Sequence, residues 1–198
     1  YQHGFLNDYF SMYTNWSNVP SSGYELVPNI FWVWDKETKN KIDVWAKLTT
    51  KHSAIVGGNM WLSYNKKNNI YINLEKKDKK KNILVVLQFS PLPEFFINFL
   101  KRNKDKFNWY FRKHPLHQVP NNIKNSLECY AIESIETTSN RSLYETFTFI
   151  DANITLYSSV GFEAQCYNIP SIFMGENAEN GFKTFLGKNG LYFAKNEL

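Results

Sequence analysis

The feature that most constrains the fold is the segment 149–174, FIDANITLYSSVGFEAQCYNIPSIFM, in which two short apolar runs flank a helical stretch. The first run, residues 154–157, stops at Ser158 and Ser159, and a helix is predicted to begin around Gly161. A strand, a helix and a second strand in this order build a β-α-β unit. Its two strands must lie parallel, because the helix carries the chain back to the starting edge.

The turn at Ser158 and Ser159 has the chemistry of an anion site. The first backbone N–H groups of a helix lack partners within the helix, and two hydroxyls and the positive end of the helix dipole add to them. Gly161 would let the backbone come close to a ligand. Serine is also a preferred helix cap, so the same residues fit a β-α-β unit without a ligand. The turn alone leaves both interpretations open.

The same alternation of strands and helices extends along the chain. The run Ile83 to Gln88 is continuously apolar until its last residue, as expected for a parallel strand buried on both faces. The other predicted strands are 30–34, 54–56, 109–111 and 131–135, and the predicted helices are 36–48, 93–101, 122–127 and 143–149. The pattern predicts an α/β protein with a doubly wound, Rossmann-like parallel sheet, formed as a single domain over residues 1–198.

Composition supports a folded domain. Of the 198 residues, 43% are hydrophobic and 17% aromatic, which excludes disorder, and no apolar run approaches the roughly 18–20 residues that span a bilayer. No signal-peptide pattern is present and the first residue is Tyr1, so we expect a longer parent protein. Cys129 and Cys166 lack metal-ligand spacing. Together these features predict a soluble, cytoplasmic protein.

The formal charge of +5 is concentrated in Glu75 to Asn82 and Lys101 to Lys106. Such runs are usually solvated, and the functional alternative is peripheral contact with the anionic inner face of a membrane. Nucleic-acid binding is the weaker idea, because the runs are not interleaved with aromatic residues and no zinc-finger or RNP-type pattern occurs. We therefore predict no nucleic-acid partner.

Ligands of doubly wound sheets bind at the carboxyl ends of the strands, and this rule brings scattered residues together. The polar segments that follow predicted strands are Gly57-Gly58-Asn59, Arg112-Lys113-His114-Pro115 and Ser158-Ser159. All three should lie on one edge of the sheet. His114 could donate a hydrogen bond to a phosphate oxygen, Arg112 or Lys113 could add charge, and Pro115 would redirect the chain.

Two further residues suit roles in a transfer reaction. Glu163 lies on the first helical turn after the serines, where a carboxylate could bridge the two hydroxyls of a ribose. The same position also favours an acidic residue through the helix dipole alone. His3, in the segment YQHG, could act as a general base when neutral.

Several other chemistries fit poorly. A serine hydrolase would need a glycine two residues before its nucleophile, but Tyr157 stands there before Ser159, and no histidine follows in the required order. No Walker A sequence and no complete G-x-G-x-x-G motif is present. There is also no Asp-x-Asp pair, which favours a metal-independent mechanism with no cofactor, in which protein dipoles stabilise the leaving group.

The segment GFEAQCYNIPSIF resembles the glycine-rich turn and Glu-Ala-x5-Pro element in the C-terminal domain of GT-B glycosyltransferases, with Glu163 and Pro170 at the matching positions. The set QHG, RKHP and DANITLYSSVGFEA is similar to bacterial enzymes that build capsules, lipooligosaccharide and teichoic acid. These include sialyl- and polysialyltransferases and CDP-glycerol glycerophosphotransferases. The latter have an acidic residue before YSSV where this chain has Leu156, and the acid-acid-Gly motif of the former is not visible.

The resemblance implies a nucleotide-sugar donor and a glycan or lipid-linked acceptor. It implies that His114, Ser158 and Ser159 contact the nucleotide phosphates, that Glu163 contacts the ribose, and that His3 lies near the acceptor. It also implies that the chain is the C-terminal half of a GT-B enzyme whose N-terminal acceptor domain is missing. On this expectation, the chain alone would bind donor without turnover.

Three classes of function therefore remain at the sequence level. The first is the donor domain of a metal-independent glycosyltransferase or of a CDP-glycerol-type polyol-phosphate transferase. The second is a sugar-nucleotide epimerase of the UDP-N-acetylglucosamine 2-epimerase type, which shares the architecture. The third is a non-catalytic module held at a membrane assembly by its lysine runs.

Overall fold

The computed structural model describes residues 6, 13, 14, 16–68, 79–115, 118, 119, 125 and 138–196. The chain divides into two compact units, residues 1–68 and residues 69–198. Each unit has its own sheet. The expectation of one continuous sheet is therefore wrong, while the assignment of 1–198 to a single domain stays a prediction.

The first unit contains β1 (Ile30–Val33), α1 (Lys36–Ala46), β2 (Ser53–Val56) and α2 (Met60–Lys67), and β1 pairs with β2 in parallel. Helix α1 begins where the Asp35 side chain accepts a hydrogen bond from the Thr38 N–H at 2.8 Å. Trp45 is fully buried at the centre of the unit, where its ring meets the edge of Phe31. Its indole N–H donates to the Tyr13 carbonyl.

The second unit contains the larger sheet. Its elements are β3 (Lys81–Val86), α3 (Glu94–Arg102), β4 (Phe107–Arg112), α4 (Leu143–Phe147), β5 (Ala152–Thr155), α5 (Val160–Gln165), β6 (Ser171–Phe173), α6 (Glu176–Gly181) and β7 (Leu191–Phe193). The strand order is β4-β3-β5-β6-β7, and every pairing is parallel. The predicted α/β class with a parallel, Rossmann-like sheet is confirmed.

Strand β3 lies inside the sheet because it can be buried on both faces. Residues 82–87 are all buried, and the alternate side chains Ile83, Val85 and Leu87 join one core cluster. Helix α3 covers that cluster with Phe96 and Leu100, while Phe95 and Phe99 pack beside them.

The described strands and helices that were predicted differ from their predicted ranges by no more than two residues at either end. The structure adds α2, α6 and β7, which the sequence pattern did not indicate. The predicted helix 122–127 and strand 131–135 lie outside the described residues.

Candidate functional site

The strand order of the larger sheet creates a switch point between β3 and β5. From β3 the chain first adds β4 on one side, and then returns to the other side of β3 to add β5, β6 and β7. The connections after β3 and β5 therefore lead away from each other and leave a crevice outside the carboxyl ends of these strands. In open α/β sheets of this order, ligands bind at that point.

The turn that follows β5 is held by the side chain of Gln88, which lies just beyond the carboxyl end of β3. Gln88 Oε1 accepts hydrogen bonds from the Tyr157 N–H at 2.9 Å and from the Thr155 hydroxyl at 3.3 Å. The Thr155 hydroxyl in turn accepts the Ser158 N–H at 3.3 Å. This chain of hydrogen bonds, which we call the Gln88 tether, holds the serine turn against the end of β3.

Ser158 and Ser159 both lie at this turn, half-buried, as predicted. Ser158 Oγ accepts the Val160 N–H at 3.3 Å, so this hydroxyl caps the first turn of α5 and keeps its own proton for another acceptor. Ser159 occupies the N-cap position but makes no capping hydrogen bond with its side chain. The two hydroxyls therefore differ in their contribution to the helix.

Gly161 serves the packing of α5. A Cβ atom at this buried position would lie 2.4 Å from Cζ of Phe173 on β6. The close approach that the sequence suggested is therefore to an aromatic ring of the core. This gives Gly161 a structural role that the prediction of a ligand contact did not include.

Glu163 lies on α5, half-buried, and its Oε2 accepts the hydroxyl of Tyr144 at 2.7 Å. Tyr144 is a buried residue of α4, a helix that begins with a capping box between Ser142 and Glu145. One carboxylate oxygen of Glu163 is thus oriented by a residue from another helix. Tyr144 was not predicted as part of the site.

The residues at the end of β4 and directly after it have different roles. Arg112 Nη1 donates to the main-chain carbonyls of Thr138 and Arg141, the latter at 3.0 Å. Burial lowers the pKa of this guanidinium, and the negative charge of Glu145 opposes the shift. Arg112 therefore holds the segment before α4 onto β4, a structural role that the predicted phosphate contact did not include.

His114 and Pro115, by contrast, are exposed beyond the carboxyl end of β4. Lys113 is half-buried, and its N–H donates to the Ser139 hydroxyl at 3.2 Å. Because β4 neighbours β3 in parallel, His114 lies on the same edge of the sheet as the serine turn, one strand beyond the switch point. This part of the predicted convergence is confirmed.

Gly57, Gly58 and Asn59 do not join this edge. They follow β2, which belongs to the sheet of the first unit, so their predicted place on one edge with His114 and Ser158 is wrong. A Cβ at Gly57 would lie 2.0 Å from the Trp32 ring, whose indole N–H donates to the Gly58 carbonyl. Asn59 caps α2 by accepting the Leu62 N–H at 3.1 Å. The sheet argument for a nucleotide contact by these three residues no longer holds.

A cleft of about 560 Å³ borders the serine turn within the second unit. Among the described residues, its lining comes from the segments after β3, β5, β6 and β7, including Ser90, Tyr157, Gly175 and Lys195. Its volume is in the range of roughly 300–1,000 Å³ typical of small-molecule sites. No sequence pattern indicated this cleft, because its walls come from four separate segments of the chain.

Within the described ranges, no group of three or more His, Cys, Asp or Glu residues is arranged to hold a metal ion. No helix found there is long and apolar enough to cross a membrane. His3, the predicted general base, lies outside the described residues.

No family model and no curated protein matches the chain. Among solved structures, it is similar to KpsC from Thermosulfurimonas dismutans, a beta Kdo 2,7 transferase, at 19% identity and a TM-score of 0.37, over 58% of this chain and 38% of that one. It is similar to the wall teichoic acid polymerase TagF at 19% identity and a TM-score of 0.44, over 76% and 40%.

A third similar structure is an alpha/beta-galactoside alpha-2,3-sialyltransferase from Photobacterium phosphoreum, at 13% identity and a TM-score of 0.36, over 81% of this chain and 44% of that one. The chain spans about two fifths of the length of each of these proteins.

Proposed function

We propose that residues 69–198 bind the nucleotide of an activated donor, and that the chain supplies the donor site of a glycosyltransferase for bacterial surface polysaccharide. The observation that carries this proposal is the switch point between β3 and β5. The serine turn lies at that point, and His114 follows the neighbouring strand. The resemblance of the segments around both residues to GT-B transferases adds the reaction class.

In this proposal the phosphate of the donor lies against the turn at Ser158 and Ser159. An acceptor hydroxyl attacks the anomeric carbon, a new C–O bond forms, and the bond to the nucleotide phosphate oxygen breaks. The negative charge that develops on the leaving nucleotide is stabilised by hydroxyl and main-chain N–H donors and by His114, so no metal ion is required. The proton of the acceptor hydroxyl passes to His3.

This role for His3 has its own test. His3→Ala should leave donor affinity unchanged and lower turnover in the full-length enzyme, because a general base acts on the acceptor and not on the leaving group. Calorimetry with the nucleotide and a rate assay with donor and acceptor measure the two effects separately. A loss of nucleotide affinity in this variant would contradict the assignment.

A polyol-phosphate transferase is the second candidate, because the element YSSV at residues 157–160 lies at the switch point. Such an enzyme would use the same donor site, but the acceptor would attack phosphorus and a nucleoside monophosphate would leave. An epimerase would be distinguished from both kinds of transferase by incubation with UDP-N-acetylglucosamine without acceptor, because only an epimerase would change the sugar.

The decisive experiment is calorimetric titration of the chain with CMP, CDP, UDP and GDP. We expect one base to be preferred, and the matching nucleoside to bind more weakly because it offers no phosphate. Failure of all four nucleotides to bind would overturn the proposal and favour the non-catalytic module.

A further inference from the structure

The cleft beside the serine turn is lined by side chains that are not needed for the proposed phosphate contacts of the serines and His114. It begins at Leu156 and Tyr157, immediately before Ser158, and extends past Gly175 to Lys195. A nucleotide whose phosphate lies at the turn would therefore direct the group that it carries toward this cleft. The inference that follows rests on the proposed function.

The uncharged part of the lining suits a group with many hydroxyls. Ser90 Oγ and the Tyr157 hydroxyl lie 3.1 Å apart and form one polar patch. Asn177, another residue of the lining, has an amide with both donors and an acceptor. Phe95 and Phe193 supply aromatic walls. A sugar or polyol presents both C–H groups, which pack on aromatic rings, and O–H groups, which need such polar partners.

The charged part of the lining selects among such groups. Lys195 Nζ lies 2.6 Å from Glu179 Oε1, so the ammonium of the cleft already faces a carboxylate of the cleft. Glu176 is a second, exposed carboxylate in the lining. The described charged side chains of the cleft therefore leave an excess of one negative charge.

We propose that this cleft binds the group carried by the nucleotide, and that this group is a neutral sugar or polyol. A carboxylate-bearing sugar would bring a third negative charge near Glu176 and Glu179 and would have to compete for Lys195. Like charges within one cleft disfavour binding.

The test uses UDP, UDP-glucose and UDP-glucuronic acid, because the two sugars differ only in the carboxylate. CDP and CDP-glycerol form the cytidine pair. In calorimetry with the 198-residue chain at low salt, we expect the Kd of UDP-glucose to be about fivefold or more below that of UDP. The Kd of UDP-glucuronic acid should be no lower than that of UDP. A poorly suited base weakens all three uridine ligands equally and leaves these ratios intact.

Glu179→Gln removes one carboxylate of the cleft and should reduce the preference for glucose over glucuronic acid to about twofold or less. The matched control is Glu37→Gln, since Glu37 also pairs with a lysine, Lys41 at 3.4 Å, but lies in the first unit. This control should keep the preference of the unaltered chain.

The outcomes separate this inference from the proposed function. If the nucleotides bind but neither glucose nor glycerol adds affinity, or if glucuronic acid adds as much as glucose, the assignment of the cleft is wrong while nucleotide binding stands. A preference that survives Glu179→Gln unchanged also overturns it. If no nucleotide binds, both proposals fail.

Discussion

Ser158 and Ser159 show how adjacent residues of one type take different parts in a site. The hydroxyl of Ser158 caps helix α5, whereas the side chain of Ser159 does not. A substitution at Ser158 therefore mixes stability with binding. Ser159 offers a cleaner test of the phosphate contact.

Ser159→Ala should weaken nucleotide binding by about 1–2 kcal/mol, the scale of a hydrogen bond to a charged group, without changing the free energy of unfolding. Ser158→Ala is the matched variant and should also lose stability, by about 1 kcal/mol, because it removes a cap. Calorimetry and urea denaturation measure the two quantities. Unchanged nucleotide affinity in folded Ser159→Ala would remove the turn from the site.

His114 is exposed beyond the end of β4, where little of the core depends on it. His114→Ala should therefore reduce nucleotide affinity about fivefold or more, as expected for the loss of a donor to a charged phosphate, and leave the melting temperature nearly unchanged. The nucleoside is the internal control, because it lacks the phosphate. Equal losses for nucleoside and nucleotide would show that His114 does not contact phosphate.

At the scale of elements, helix α5 depends on the absence of a side chain at Gly161. Gly161→Ala should lower the free energy of unfolding by about 1–3 kcal/mol, the usual cost of overpacking, because the new Cβ would meet the Phe173 ring. Urea denaturation measures this loss, with Ser159→Ala at the N-cap of the same helix as the control. A stability equal to that of the unaltered chain would mean that α5 shifts away from β6 without cost.

The sequence was informative where periodicity is strong. The strand at 83–88 and the helix at 93–101 were correctly predicted, because burial on one or both faces leaves a local pattern. Helix α2 was missed because Trp61 and Tyr64 are exposed while Asn65 is buried, which reverses the expected pattern. Strand β7 has only three residues, too few to show alternation.

The site was predictable only in part, for a different reason. Residues 54–56 look like any other buried strand in the sequence, but partner choice is a long-range property, and β2 pairs with β1 alone among the described strands. Gln88 gave no signal, since a polar residue at the end of an apolar run is ordinary. Its importance appears only when the Thr155 and Tyr157 contacts are known.

At the scale of the whole molecule, the described parts of the basic runs lie at one edge of the larger sheet. Lys81 pairs in register with Phe107, so Lys79 to Lys81 and Lys104 to Lys106 lie at the amino ends of neighbouring strands. All lysines in these two segments are exposed. This basic edge is opposite to the carboxyl edge that carries the serine turn.

We expect the basic edge to bind vesicles that contain an anionic lipid such as phosphatidylserine, at about 1 kcal/mol per basic residue near the surface, and to release them as salt increases. Replacing Lys79, Lys80, Lys104 and Lys106 by Gln should abolish cosedimentation. Lys183→Gln with Lys188→Gln, two exposed lysines elsewhere in the second unit, should not. Equal retention of both variants, or no retention of the unaltered chain at low salt, would contradict membrane contact.

The strand order also sets the sequence in which the second unit can be assembled. Strands β3 and β4 join residues about 26 positions apart, as in the contact of Asn82 with Asn108, whereas β3 and β5 join residues 69 positions apart, as in the contact of Asn82 with Asp151. Closing the longer loop costs more chain entropy and is slower. The unit β3-α3-β4 can therefore form early during synthesis, while the crevice at the switch point forms only when β5 has been made and has docked on β3.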